Sequence, residues 1–239
     1  MKHVDVVIIS WAKDYELLST TVKGLNSLFK SESSDIAFHA YVVESNMNVE
    51  YDEYNRSDWN HTCTTVRPGG EFGYHKYLNI GRRLGNSKYV VLCNSDLVYE
   101  PGWASSLIKV MEENPKILSA SPWCSRTLGS NVNHIGNVYT GYKVRDEIAG
   151  WCIFQKREIY EIIGDLDEKF THWYCDNDYA MTIKEKDIIH CLVPDALVNH
   201  HCELLGATHK TFDLDYQKKT TGDQQIIFQK KWGLPYGPN

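Results

Sequence analysis

The stretch YVVLCNSDLVYEPGW, residues 89–103, decides how this chain is read. Tyr89 to Cys93 is a mostly apolar run and predicts a buried strand. The run stops at Asn94, Ser95 and Asp96, and Pro101-Gly102 breaks the chain again. A carboxylate at the carboxyl end of a core strand lies at a sheet rim, where open α/β folds bind ligands. Asp96 is expected to be exposed at that rim. A hard carboxylate there suits a divalent cation that carries phosphate oxygens. The competing reading is a solvated turn, because Asn, Ser and Asp are ordinary turn residues.

Outward from this stretch, strands and helices alternate. VDVVIIS (4–10) predicts a first strand, and Leu17, Leu18, Val22, Leu25 and Leu28 give 15–29 a helical spacing. IAFHAYVVES (36–45) predicts a second strand, 64–67 a short third, and 77–84 a helix stopped by Gly85. After strand 89–93 come a helix over 101–113, ended before Asn114-Pro115, and a strand over 117–122. The second half is less regular. It predicts a strand over 148–155, short helices over 156–163 and 179–186, strands 188–194 and 196–200 separated by Pro194, and a helix over 224–232. Such alternation predicts an α/β fold with a mixed, mainly parallel sheet flanked by helices. No repeat or linker divides the chain, so residues 1–239 are expected to form a single domain.

Composition narrows the classes. With 239 residues, 42% hydrophobic and 23% charged, the chain matches ordinary globular proteins. No apolar run approaches the roughly 18 residues that span a bilayer. Met1-Lys2-His3 leads straight into a short β-branched run, unlike a signal peptide. A cytoplasmic location without a membrane span is therefore expected, and the sequons at Asn55 and Asn60 carry no weight without secretion. The seven cysteines are odd in number and lack C-x-x-C spacing, which argues against zinc or a disulfide framework. Most are expected to be small buried apolar residues. A net charge of −6 argues against a large nucleic-acid surface, despite the basic pairs Arg82-Arg83, Lys218-Lys219 and Lys230-Lys231.

The remaining polar residues fall in order. Asp176 and Asp178 stand before a helix, where each could cap its N-terminus. Alternatively, one of them accepts a proton from a substrate hydroxyl. Trp123, Trp151, Trp173 and Tyr174 are candidates for an acceptor surface, since aromatic faces with polar edges suit sugar rings or bases. The competing reading closes the core with them. His200 ends a strand-like run and could complete a metal site begun by Asp96. His201 would point the other way, so at most one of the two is a ligand.

Taken in order, these pieces resemble the inverting family-two glycosyltransferases of the GT-A fold, especially the rhamnosyltransferase-like branch. VDVVIISWAKDYELLSTTVKGLNSL (4–28) resembles the first strand and helix, and YVVES-N (41–46) the second strand. RPGGEFGYHKYLNIG (67–81) is similar to a glycine-rich N-x-G-F…N-x-G stretch, and LCNSDLVYEPGW (92–103) to LNxDxxxxPGW. AGWCIFQKREIYEIIGDLDEKF (149–170) is similar to GxCxxxRRxxxExIGxFDExF, and YCDNDYAMTIKEKD (174–187) to xEDxDLxxRxxxxG. VPDALVNHH (193–201) and DQQIIFQKKWG (223–233) resemble VPxAxVxH and DxxxFxxKWG.

The resemblance implies a Rossmann-like sheet, with residues to about 115 binding a nucleotide sugar and the rest providing acceptor and catalytic groups. Asp96 and His200 would hold Mn²⁺ or Mg²⁺ against the donor diphosphate. Asn94 stands where many members have aspartate, with Ser95 beside it on the donor side. Ser10, Trp11, Glu44, Asn46 and Arg67 would surround the nucleoside. Asn79 and Gly81 would shape the donor loop. Asp176 matches the base, but Cys175 replaces the glutamate that usually precedes it, which leaves Asp178 open. Leu78 replaces a common arginine, so Lys76 or the basic tail would face the donor phosphates.

The implied activity is metal-dependent transfer, with inversion, from a UDP- or dTDP-sugar to an acceptor hydroxyl. Glycan, lipid-linked saccharide, protein and modified nucleic-acid base all remain open as acceptors. A nucleotide-sugar-binding protein without turnover is the alternative. A sugar nucleotidyltransferase is disfavoured, because no glycine-rich phosphate loop follows the first strand.

Overall fold

Val4, Val6 and Val7 are completely buried, so the first strand is covered on both faces. In the computed structural model, which describes residues 1–47, 63–124, 136–200 and 214–235, this strand lies inside one mixed sheet. The elements of the first half are β1 (Lys2–Ser10), α1 (Tyr15–Lys30), β2 (Ile36–Glu44), β3 (Cys63–Val66), α2 (Tyr74–Arg82), β4 (Tyr89–Cys93), β5 (Leu97–Tyr99) and α3 (Trp103–Glu113). The second half adds β6 (Ile117–Trp123), β7 (Tyr139–Thr140), β8 (Cys152–Lys156), α4 (Ile159–Ile163), α5 (Cys175–Glu185), β9 (Ile189–His200) and α6 (Leu214–Trp232).

The strand order is β3-β2-β1-β4-β8-β6-β9-β5, with β7 on β9. The pairs β3-β2, β2-β1, β1-β4 and β6-β9 are parallel, while β8 runs antiparallel to both β4 and β6. The reversed β8 starts where β4 ends, with Cys152 opposite Cys93. The residues just before β8 therefore reach the same rim as the ends of β1, β2 and β4. One sheet face packs Val6 and Ile8 against Leu25, Leu28, Trp103 and Leu107. The other packs Val7 and Ile9 against Tyr77, Leu78, Tyr179 and Ile183.

Most boundaries follow the sequence pattern, and the departures have local causes. Helix α5 starts at Cys175 instead of 179, since Asp176 and Asp178 occupy its first turn. Pro194 does not divide β9. The register with β6 jumps from Pro122↔Val193 to Trp123↔Leu197, so Pro194 falls in an irregularity where no ladder N–H is needed. Residues 148–151 form no strand, and α6 begins ten residues before 224. The short β5 and β7 carry no pattern long enough to read. All six described cysteines are free thiols, and five are buried. Among the described residues no helix is long and apolar enough to cross a membrane. His201, Cys202, Asn55 and Asn60 lie outside the described residues.

A polar chain runs through the core of the second half. The Tyr160 hydroxyl donates to Gln155 Oε1 (2.6 Å), and Gln155 Nε2 donates to the Tyr179 oxygen (2.7 Å). Tyr179 and Ser119 meet at 2.8 Å, Ser119 Oγ meets His190 Nδ1 at 2.7 Å, and His190 Nε2 faces the Glu147 carbonyl at 3.1 Å. Running each proton along this chain requires a neutral His190 with its hydrogen on Nε2. Burial pushes His190 down to about 4, against the opposing pull of that carbonyl. The unfolded chain therefore binds a proton that the folded chain refuses. Stability is complete above the ordinary histidine value near 6.5 and falls as pH drops from there toward 4. The loss attributable to His190 is about 3 kcal/mol. Urea unfolding of wild type and His190→Gln between pH 7 and pH 4 checks it: the variant is less stable at neutral pH and loses less on acidification.

Candidate active site

The short strand β5 creates the centre of the site. Its antiparallel pairing with β9 sets Leu97 opposite His200 and so brings the residue before it, Asp96, to the histidine. His200 Nε2 lies 3.2 Å from Asp96 Oδ1. Asp96 is 4% exposed, so the expectation of an exposed carboxylate is corrected: β5 and β9 close over it. The His200 ring stacks on Trp151 (centroids 5.3 Å apart, 18° between planes), and its Nδ1 is buried without a hydrogen-bond partner among the described residues. Among the described residues no group of three or more His, Cys, Asp and Glu is arranged to hold a metal ion. A carboxylate and an imidazole are nevertheless a sufficient protein share for a cation whose other ligands are phosphate and water oxygens.

Trp151 links this pair to the proposed base. Its neighbour Gly150 packs so closely on Asp176 that a Cβ would stand 2.5 Å from Asp176 Cβ and 2.8 Å from Oδ2. Tyr74 lies between the two halves, its hydroxyl 2.7 Å from Asn94 Oδ1 and 3.1 Å from the Gly150 carbonyl. Burial raises the Tyr74 phenol well above its usual value, and the charges of Asp176 and Asp96 both add to this. It therefore remains a neutral donor. Asn94 N also donates to the Trp151 carbonyl at 2.9 Å.

Asp176 is partly exposed and accepts from Asn177 N at 2.9 Å. Burial raises its carboxyl, against that hydrogen bond and the charge of Arg145. Arg145 is exposed and held at φ 69°, a strained conformation for a residue with a side chain. Asp178 is in a different position. It is buried and bound by Lys231 Nζ (2.8 Å) and Trp232 Nε1 (2.9 Å). Cys175 packs with Phe170 and Phe228, its thiol directed to the Phe170 carbonyl at 3.5 Å. The glutamate-to-cysteine departure thus falls in an apolar cluster.

The donor-side residues divide. Glu44 is completely buried and accepts from Ala12 N (3.1 Å) and Asn46 N (2.7 Å), while Asn46 Nδ2 donates to the Ala12 carbonyl (2.7 Å). Together they fix the chain after β1. Ser10 is buried against Thr21. Trp11 is half-buried and stacks on Phe72 (6.0 Å) beneath Lys13. Arg67 Nε, Trp123 Nε1 and Trp173 Nε1 are buried without hydrogen-bond partners among the described residues. Lys76 and Ser95 are partly exposed. Asn79 is not brought to the rim. It is completely buried, bonded to the Leu166 carbonyl (2.9 Å) and the Leu166 N–H (3.0 Å), and braces the segment before α5. Tyr74, Phe72, Gly150 and Arg145 are additions that sequence reasoning missed. The only signal for the first two was their position in the glycine-rich stretch.

The close approach at Gly150 gives a direct test. Gly150→Ala has to displace Asp176, and transfer is expected to fall by roughly 10²-fold, the cost of about 1 Å of misplacement. The melting temperature should fall far less than activity, because both residues are only partly buried. Steady-state kinetics beside a thermal melt check both parts.

The mixed sheet thus carries the Asp96–His200 pair at its rim, connected through Trp151 and Gly150 to a second carboxylate, Asp176. The profile described as Glycosyl transferase family 2 matches residues 14–187, and the chain belongs to that family. No curated protein matches the chain. Among solved structures it is similar to GalNAc-T7 with UDP, GalNAc and Mn²⁺: TM-score 0.67 and 15% identity, over 83% of this chain and 43% of that one. It is also similar to TarS of S. aureus, residues 1–349: TM-score 0.60 and 13% identity, over 84% of this chain and 60% of that one. At these identities the likeness concerns the fold, and the chain spans 43% and 60% of the two proteins it resembles.

Proposed function

We propose that this chain transfers a sugar, with inversion and with the help of Mn²⁺ or Mg²⁺, from a UDP- or dTDP-sugar to an acceptor hydroxyl. The observation that carries the reading is the continuous path Asp96–His200–Trp151–Gly150–Asp176, which brings a carboxylate–imidazole pair and a carboxylate raised by burial to one rim. The collinear motifs favour the rhamnosyltransferase-like branch. The neighbour crystallised with UDP and Mn²⁺ favours a uridine donor and a divalent cation.

Asp96 and His200 would hold the cation, which supplies charge neutralisation to the departing diphosphate. The chain's own groups do the rest. Trp11 and Phe72 offer ring faces to the nucleoside, and Arg67 offers a buried N–H. The Tyr74 hydroxyl keeps Asn94 and the Gly150 carbonyl in place. Asp176 accepts the acceptor hydroxyl's proton as that oxygen attacks the anomeric carbon from the face opposite the nucleotide. A carboxylate held above its ordinary range is a stronger base than a solvated one. One carboxylate suffices, since inversion passes through no covalent sugar–enzyme intermediate. Trp173 and Trp123 would line the acceptor side; each has a buried indole N–H with no hydrogen-bond partner among the described residues.

Calorimetry of UDP- and dTDP-sugars with and without Mn²⁺, followed by assay for released nucleotide, tests the reading. Cation-dependent binding with slow release of nucleotide is expected. Tight binding without release would favour the non-catalytic alternative.

A further inference from the structure

The match to the family ends at residue 187, so it assigns no part to the last helix. That helix nevertheless meets the catalytic segment at several points. Lys231 Nζ bridges Asp178 Oδ1 (2.8 Å) and Asp167 Oδ2 (2.9 Å), and Trp232 Nε1 donates to Asp178 Oδ1 (2.9 Å). Gln224 Oε1 accepts from Thr171 N (2.8 Å), while its Nε2 donates to the Lys169 carbonyl (3.3 Å). The Phe228 ring packs on Phe170 and Tyr174 (centroids 6.3 and 5.2 Å). Every partner of the helix in this group lies between 167 and 178, the segment that contains Trp173, Tyr174 and Asp176.

The start of α5 needs such support. Its cap position, Tyr174, has φ 60° and supplies no side-chain cap, and the first-turn Asn177 N–H turns to Asp176 Oδ1 instead (2.9 Å). A helix start without an N-cap side chain lacks one of its usual anchors. Asp178 lies in that same turn, two residues beyond Asp176. Its carboxylate is buried, and a buried charge is tolerated only when paired and hydrogen-bonded. Lys231 and Trp232 together meet both requirements. Burial draws the Lys231 ammonium down, but Asp178 and Asp167 outweigh it, so Lys231 keeps its charge.

We infer that Lys231 and Trp232 are positioning residues: by gripping Asp178 they fix the first turn of α5 and so aim Asp176 at the acceptor. The inference rests on the transfer reading above. The C-terminal helix is then a working part of the site, and the catalytic unit extends past the matched family region.

Three full-length variants test it, each assayed for nucleotide release and transfer, donor affinity and melting. Trp232→Phe keeps the ring and removes only the N–H. Its kcat is expected to fall about 10-fold, with donor Kd and melting temperature within error of wild type. Lys231→Met should lower kcat about 10²-fold, in line with a small misplacement of the base. Lys231→Arg, which restores charge and donors, should recover most of the activity. Unchanged kcat in Trp232→Phe would overturn the inference. So would donor affinity and melting temperature falling in step with kcat across the series, since that marks a merely structural helix. A wild-type protein that releases no nucleotide would overturn the transfer reading itself, and this inference with it.

Discussion

Asp176→Asn should reduce transfer by about 10³-fold, or roughly 4 kcal/mol in the barrier, while donor binding is unaffected. Asparagine has nearly the same shape, and its side-chain oxygen still accepts from Asn177 N. Only the capacity to take a proton is lost. The carboxylate is already disfavoured by burial, so removing it should leave the melting temperature equal to or above that of wild type. This trade of activity against stability separates a working base from a structural aspartate. Asp178→Asn should behave oppositely. It leaves Lys231 without one of its two carboxylates and lowers stability along with activity. Paired melts and donor titrations on the two variants distinguish the roles. Equal transfer by Asp176→Asn and wild type would remove Asp176 from the mechanism.

The second large effect concerns Asp96. Because it is buried, Asp96→Asn is more informative than truncation, which would leave a void beside His200. The substitution keeps the volume but weakens a hard-cation ligand. Cation-dependent donor binding should be lost, and transfer should fall by about 10³-fold, or ~4 kcal/mol. Calorimetric titration of UDP with and without Mn²⁺ reads this directly: wild type gains affinity from the cation and the variant does not. A variant that keeps the full cation effect would move the metal site elsewhere.

Much of the sheet was legible because its central strands are buried on both faces. Continuous apolar runs such as 6–9 and 89–93 have few other homes in a globular chain. Asp96 could be placed at the rim for the same reason, since a charge cannot continue such a run. Its burial could not be read. That depends on β5, three residues long, pairing with β9 more than ninety residues later. Pro194 misled because a proline inside a strand normally ends it, and only the register jump opposite Trp123 shows why this one does not. Asn79 and Asp178 illustrate a different limit. Both are polar residues in motif-bearing stretches, yet their partners, Leu166 and Lys231, are remote in sequence. Pattern reading identifies the polar residue but not the direction it faces. Tyr74 and Gly150 were missed for the complementary reason: their roles lie in a hydrogen bond and a close approach between elements, which leave no periodic trace.

The stereochemistry of donor turnover bears most directly on the account. Wild-type protein is incubated with a UDP-sugar, chosen by calorimetry, and Mn²⁺ in water, and the first-formed sugar is followed by proton NMR before it mutarotates. A single carboxylate base acting opposite the nucleotide predicts cation-dependent release of UDP and the anomer inverted relative to the donor. Release of the retained anomer, or of no sugar from a donor that binds tightly, would contradict it.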